Sequence, residues 1–516
     1  MSATPILALD GPQPVNVNGG VAYVAPQHLP PPPLTERPTV RISFPSGTST
    51  PVLGSVPNQP GHQLLRELMA RGVASGNVGD LYENRDRGHS PLSLTNHPQM
   101  TELLYHPVLR DQNIDYGPAF GLLFDAPLIG NSSTAITAGP FARSLPRMAL
   151  TGMQTGGATA LYQNYENGQI HVYPSYQDHE AGGQDMFSAN TPYYVIADGA
   201  SGADQPHLEA LAMILAAFQP DTKARLLESG LIAPTVQMVY RRGRDQVSDH
   251  GAYFTGVAHP TAFPASGINL SRMVALANAI KPTEIPPMVR LSVLSEPDAR
   301  PGIDVFGEGL SEVLFDTPSA ISRVWRAPDF RREFILSAAD TADPNGRPLT
   351  FRWDLLRGNS DLVTIEPLGE NGTSAKITIG WQDNYVIPGS EDVSSSRIDV
   401  GVFANNGAYD SAPAFFSVLL PHHETRIYEL DTEHGMRIRR LVRTARDGTA
   451  YDPLIFPRTN WADDYSYEGA DLTGWERQSA IGTEVFNAQG EARGKKPSYP
   501  IVEDVDGLPA VAQKTQ

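Results

Sequence analysis

Residues 340–353 read DTADPNGRPLTFRW. Pro344-Asn345-Gly346 is a turn signal, because proline presets one backbone angle and Asn-Gly tolerates the left-handed region. The run that follows alternates with period two, placing Phe351 and Trp353 on one face of a strand and Arg352 on the other. The same alternation recurs at Lys376–Gly380, Ile398–Phe403 and Ala414–Leu420, and Asn405-Asn406-Gly407 reads as a hairpin turn. Short alternating runs between turns predict an all-β unit over residues 326–421.

The order D..DPNG..LTFRW resembles the opening of PKD and cadherin-like immunoglobulin-fold repeats, in which a D-P-x-G turn precedes a strand carrying a buried tryptophan. The resemblance implies an immunoglobulin-like β-sandwich of about 90 residues appended to an exported bacterial protein, and modules of that kind act as spacers or contact surfaces. Asp340 and Asp343 alone offer too few carboxylate oxygens for a tight calcium site, so the acidic turn is expected to be structural.

Toward the N-terminus the pattern changes to α/β grammar over residues 59–325. Leu64, Leu65, Leu68 and Met69 recur at helical spacing before Gly72, and Met100, Leu103, Leu104 and Val108 suggest a second helix after Pro98. Gln169–Tyr173 and Tyr193–Ala197 read as strands. A tight turn at Asp198–Ala203 leads to a helix over Gln205–Phe218 with Asp204 as its N-cap, and further helices follow from Pro220, at Pro234–Arg242 and at Asn269–Ile280. Residues 1–58 are rich in proline and glycine, including the Leu29–Pro33 polyproline run, with brief β-prone runs at Val21–Val24 and Val40–Phe44, and suggest an extended arm with one or two edge strands. Beyond His422 weak periodicity suggests an extended tail anchored by Tyr465, Tyr467 and Trp475, with a disordered end. The expected class is therefore a mixed α/β or α+β N-terminal domain, an immunoglobulin-like sandwich and a tail.

At 516 residues the chain exceeds what one core supports. Asp and Glu outnumber Lys and Arg by 57 to 39, a field that repels nucleic acid. Cysteine is absent, which removes disulfides and thiolate chemistry. No apolar run of about 18 residues occurs, so no membrane span is expected. No leader is visible either; an extracellular or periplasmic location is expected, with a leader removed beforehand.

Three polar segments could carry chemistry. Gly76–Ser90 holds Asp80, Glu83, Arg85, Asp86, Arg87 and His89: carboxylates beside a histidine suit acid/base work, and arginines suit a polar or anionic substrate. The bland alternative is a loop knitted by Arg–carboxylate pairs. His171 and Tyr173 share one strand face ahead of Asp178, His179, Glu180 and Asp185, a donor set suited to zinc or calcium, although no established ligand spacing is present. A solvated acidic loop is the alternative there. Ser201, in a strand-to-helix turn, suggests a nucleophile elbow with Asp245 or Asp249 and His250 or His259 downstream, yet Ala203 displaces the second glycine of G-x-S-x-G. The stretch from Asn131-Ser132-Ser133-Thr134 through Arg143-Ser144-Leu145-Pro146-Arg147 adds hydroxyls and two arginines fit to line a cleft for a sugar or acid, or equally a hydrogen-bonded connector.

The leading expectation is a hydrolase or lyase acting on a carbohydrate or related polar polymer. Its catalytic candidates are Asp86, His89, Asp178 and Ser201; Glu83, Arg85, Arg87, Tyr173, Arg143 and Arg147 would bind substrate, and Asp178, His179 and Asp185 would ligate any divalent metal. Tyr82, Tyr162, Tyr165 and Tyr173 interleaved with charge favour a sugar cleft. The alternative is a non-catalytic protein binding a glycan or protein partner, or a scaffold subunit. The sequence leaves the oligomeric state open.

Overall fold

The computed structural model describes residues 12–31, 37–45, 53–54, 58–77, 79–85, 88–98, 100–112, 121–132, 143–151, 156–176, 178–179, 183–388, 393–447 and 452–514. Its first part is an α/β body. The strands are β1 (Val15–Asn18), β2 (Val21–Val24), β3 (Thr39–Val40), β4 (Ile42–Ser43), β5 (Leu81–Asn84), β6 (Thr101–Tyr105), β7 (Leu123–Phe124), β8 (Leu128–Asn131), β9 (Gln169–Pro174) and β10 (Val195–Ala197). The helices are α1 (Pro60–Ala70), α2 (Pro107–Asp111), α3 (Leu145–Ala149), α4 (Gly157–Glu166), α5 (Gln205–Ala217), α6 (Pro220–Glu228), α7 (Ile232–Arg242) and α8 (Leu270–Ala279).

Eight strands form one sheet in the order β10-β9-β8-β5-β6-β2-β1-β4, parallel except for the β1–β2 hairpin. β3 and β7 pair separately. Every residue of β8, β9 and β10 is buried, as a parallel sheet covered on both faces requires. α5 packs on β8 and α4 on β9, and α5 also carries α8 and α1. Prolines in the first turns of α1, α5 and α6 start those helices where a missing N–H costs nothing.

Two sequence expectations are refined here. The N-terminal segment supplies β1, β2 and β4 at one end of the main sheet, with β2 on the expected Val21–Val24 run, so its strands are part of the body's sheet. The helix expected after Pro98 is strand β6 and the short α2. Thr101, Leu103 and Tyr105 are buried while Leu104 is exposed, so β6 follows period two despite apolar residues at helical spacing.

The second part is a two-sheet sandwich. Its strands are β11 (Ser292–Ser295), β12 (Val313–Thr317), β13 (Ala320–Val324), β14 (Arg331–Ser337), β15 (Thr350–Arg357), β16 (Val363–Leu368), β17 (Ser374–Gly380), β18 (Tyr385–Val386), β19 (Ser394–Ser395), β20 (Arg397–Asn405) and β21 (Ala414–Leu419). Sheets β11-β14-β17-β16 and β12-β13-β21-β20-β15 share one core built on Phe334, Ile377, Val400, Phe416, Trp325, Trp353 and Trp381. In the diagnostic turn, Asp343 Oδ1 accepts from the backbone N–H of Asn345 (2.8 Å) and Arg347 (2.9 Å), and its other oxygen accepts from Asn406 Nδ2 (2.9 Å). The acidic turn is structural. Trp353 is buried and donates from its indole N–H to Gly372 O at 2.7 Å.

The third part corrects the expected tail. Beyond His422 the chain forms β22 (Glu424–Asp431), β23 (Gly435–Arg443), β24 (Phe456–Pro457), β25 (Trp461–Glu468), β26 (Asp471–Ser479), β27 (Gly482–Asn487), β28 (Ile501–Glu503) and β29 (Pro509–Val511). A five-stranded antiparallel sheet, β22-β23-β25-β26-β27, joins the sheet β24-β29-β28 around Trp461, Tyr465, Trp475, Phe486 and Tyr499. Charged residues occupy inward positions and hide the alternation: buried Asp463 accepts from Arg477 Nε (2.6 Å) and Arg443 Nη1 (3.0 Å), and the Arg477 guanidinium lies 4.5 Å from the Trp461 ring.

Body and sandwich meet through a buried charge network. Asp185 takes Arg357 and Arg397, and a hydrogen bond from Thr261 (2.8 Å); Arg397 Nε in turn donates to Asp399 at 2.8 Å. Burial pushes the Asp185 carboxyl up, but the two guanidiniums hold it below the usual carboxylate range.

Candidate functional site at the carboxyl edge of the sheet

From β5 the chain steps one way to β6, then crosses back past β5 to β8, and continues outward to β9 and β10. This reversal makes the carboxyl ends of β5 and β8 a topological switch point, where diverging connections leave a crevice for ligands in open α/β sheets. Part of each polar segment of the sequence follows a strand at this one edge, after β5, after β9 and after β10, while Asp80 stands ahead of β5 at its amino end.

Two of those loops are tied together. The Asn131 side-chain amide at the end of β8 donates to His89 O (3.2 Å), Ser90 O (3.1 Å) and Asp204 Oδ2 (2.7 Å). Tyr82 OH donates to Asn131 Oδ1 at 2.9 Å and fixes the amide's orientation. Ser90 Oγ and Ser201 Oγ stand 3.3 Å apart. Asp204 precedes α5 as expected but gives its carboxylate to Asn131, with no side-chain cap on the helix. His89 and Ser201 are exposed at this junction.

The opposite sheet face carries a buried polar cluster. Glu83 accepts from Tyr105 OH (2.6 Å), shares a 2.6 Å bond with His171 Nε2, and lies 2.7 Å from Arg85 Nε. Burial alone would raise the Glu83 carboxyl; the Arg85 charge, His171 and the Tyr105 hydroxyl overcome it and hold it at about 2. Burial and then the Arg85 charge lower His171, which favours neutral imidazole. Asp80 pairs with Lys223 at 2.8 Å, and burial nevertheless pushes it up to about 6.

The remaining candidates are placed as follows. Asp178 is fully buried, accepting from Arg147 Nη1 (3.0 Å) and Ser144 N (3.1 Å), and burial outweighs both to bring it to about 6. Arg147 also approaches Asp452 (3.5 Å), which Arg143 contacts at 2.6 Å, so both arginines are engaged by carboxylates of the protein. His179 is lowered chiefly by burial. Asp185 is filled by Arg357, Arg397 and Thr261, which leaves it unsuited to a cation; among the described residues no group of three His, Asp or Glu is placed to hold a metal. The proposed Ser201 triad is not assembled: His250 bonds Asp410 (2.9 Å) and buried His259 bonds Tyr253 O. Asp86, Arg87 and Glu180 lie outside the described residues. Sequence reading placed Asn131 and Ser132 only within a hydroxyl-rich stretch fit to line a cleft and passed over Tyr105; the contacts of Asn131 and Tyr105 come from strand register and carry no motif.

No family model matches the sequence, and no curated protein matches it. Among solved structures the chain is similar to a nucleoside hydrolase-related protein from Saccharophagus degradans associated with carbohydrate metabolism, at 10% identity over 57% of this chain and 71% of that one, with a TM-score of 0.19. It is also similar to the N-terminal Ig1-2 module of the Drosophila receptor protein tyrosine phosphatase DLAR (13% identity, 38% of this chain and 94% of that one, TM-score 0.13). A third is the Escherichia coli adhesin FdeC (11% identity, 44% and 64%, TM-score 0.15). Likenesses this slight bear on neither fold nor chemistry.

Proposed function

We propose that this chain is an exported hydrolase of a carbohydrate or related polar substrate, working in the crevice at the carboxyl edge between β5 and β8. The observation that carries the reading is the Asn131 amide, which gathers the His89–Ser90 loop and the Asp204 loop onto one junction at the switch point. His89 is the proton-transfer group and Ser201 the hydroxyl at the reacting centre, both exposed there. Asp178, titrating at about 6, serves as the second acid/base group. The sandwich holds the body through Asp185. No helix among the described residues is long and apolar enough to cross a membrane.

The test is turnover on a panel of glycosides and esters by the full chain and by His89→Ala, Ser201→Ala and Asp178→Asn. Loss of a general acid or base lowers kcat by about 100-fold or more. Absence of turnover across the panel, or variants that turn over like the parent, would sink the reading in favour of a binding protein.

A further inference from the structure

The pairing of β5, β8 and β9 runs past their last register partners. Glu83, Gly130 and His171 form one row across the three strands. Arg85 N donates to Asn131 O (2.8 Å) and Ser132 N to Val172 O (3.1 Å), so the ladder continues and Arg85, Ser132 and Tyr173 follow two residues on, on the same face. The inner row is satisfied within itself. The outer row is not: Arg85 Nη2, Ser132 Oγ and Tyr173 OH are all buried and have no hydrogen-bond partner in the protein. The three residues are 2%, 0% and 1% exposed.

Buried donors are nearly always paired, and three unpaired in one row at a switch point mark a place built for a ligand. The charges say which kind. Glu83 balances Arg85 at 2.7 Å, and burial and then the Arg85 charge lower His171. Arg37, bonded to Ala160 O (2.9 Å) and Asn164 Oδ1 (2.5 Å) of α4, is close enough for its charge to act on both Arg85 and His171. With Glu83 paired to Arg85 and Arg37 bonded to neutral oxygens, the cluster has an excess of guanidinium charge, and its unpartnered groups are a guanidinium N–H and two hydroxyls, a set that suits a singly charged oxyanion.

We propose that Arg85, Ser132 and Tyr173 receive the carboxylate of an acidic substrate, such as a sugar acid, entering from the carboxyl edge past exposed Gly88 and His89. This deepens the preceding proposal and rests on its assignment of the crevice as the substrate site. The acid group sits on the face of β5 opposite the Asn131 junction.

Titration calorimetry on the full chain with glucuronate, glucose and inorganic phosphate tests it. Glucuronate should bind at least tenfold more tightly than glucose and phosphate. Tyr173→Phe and Ser132→Ala should each weaken glucuronate binding roughly tenfold, the scale of a hydrogen bond to a charged group. Neither hydroxyl bonds anything within the protein, so both variants should keep the parent's Tm. Glucose binding as well as glucuronate, phosphate binding better, no binding of any of the three, or variants that bind glucuronate like the parent would each overturn the assignment. Because the readout is binding, the two proposals separate: glucuronate bound through Tyr173 with no turnover on any substrate sinks the hydrolase alone, while turnover of neutral glycosides without glucuronate binding sinks the carboxylate site alone.

Discussion

Glu83 and His171, on strands separated by β8, share a 2.6 Å hydrogen bond across the bare backbone of Gly130. A Cβ at residue 130 would stand 2.8 Å from His171 Cδ2 and 2.9 Å from Glu83 Cγ, with Glu83 O also at 2.8 Å. The glycine is required by close approach.

Gly130→Ala should therefore force the pair apart in a packed sheet, at a cost of roughly 1–3 kcal/mol. Urea unfolding followed by far-ultraviolet circular dichroism measures it. A midpoint equal to the parent's would show that the bridge does not depend on the missing side chain.

Acid should loosen the fold through the depressed carboxyls. Glu83 falls from an ordinary 4.5 to about 2, and so does Glu424, where Arg426 and Arg443 overcome burial. Their contribution is fully present above pH 4.5 and is lost as pH falls through about 2; a shift of that size is worth at most roughly 3 kcal/mol for one buried group. Asp80 and Asp178, raised to about 6, act in the opposite sense: each favours the fold below pH 3.8 and loses that contribution as pH rises through 6. Glu83→Gln should lower stability at pH 7, yet show a shallower loss between pH 4.5 and 2. An acid limb as steep as the parent's would refute the role given to Glu83.

Asp185→Ala removes one carboxylate from the seam between body and sandwich and leaves buried Arg357 and Arg397 to share Asp399. Breaking a buried pair from one side typically costs about 3–5 kcal/mol. Differential scanning calorimetry should show a correspondingly lower Tm, and chelator treatment of the parent should leave Tm unchanged, because Asp185 Oδ2 already takes both arginines and Oδ1 accepts from the Phe187 N–H. A loss under about 1 kcal/mol would argue that the network is dispensable.

Trp475→Ala should destabilise the C-terminal unit by roughly 3–5 kcal/mol, since the indole is buried and stacks on Phe486 at 4.9 Å. Limited proteolysis should then cut after about residue 421 well before the body. Equal resistance in parent and variant would mean the unit is held by something other than this stack.

The sandwich was legible because its turn chemistry is local: Asp343, Asn345 and Gly346 act through their own backbone, and Trp353 announces the core strand. The C-terminal sheet was hidden because Asp463, Arg443 and Arg477 face inward as mutually neutralising charges, which erases the apolar alternation. Strand β6 was mistaken for helix because Leu103 and Leu104 are adjacent and satisfy either period over five residues. Sequence singled out polar loops that leave one sheet edge but gave their residues individual roles; Glu83 with His171, and Arg85 with Ser132 and Tyr173, are aligned only through parallel register, a relation between segments up to 88 residues apart.

All five tryptophans sit in the two β-rich units, Trp325, Trp353 and Trp381 in the sandwich core and Trp461 and Trp475 beyond it. Indole emission thus comes from one half of the molecule, while the helices and their ellipticity belong to the other. A red shift in fluorescence will time the opening of the β units, and the loss of helical signal will time the body. The protein carries its own pair of optical clocks, and a lag between them would reveal how tightly the Asp185 seam makes the halves unfold as one.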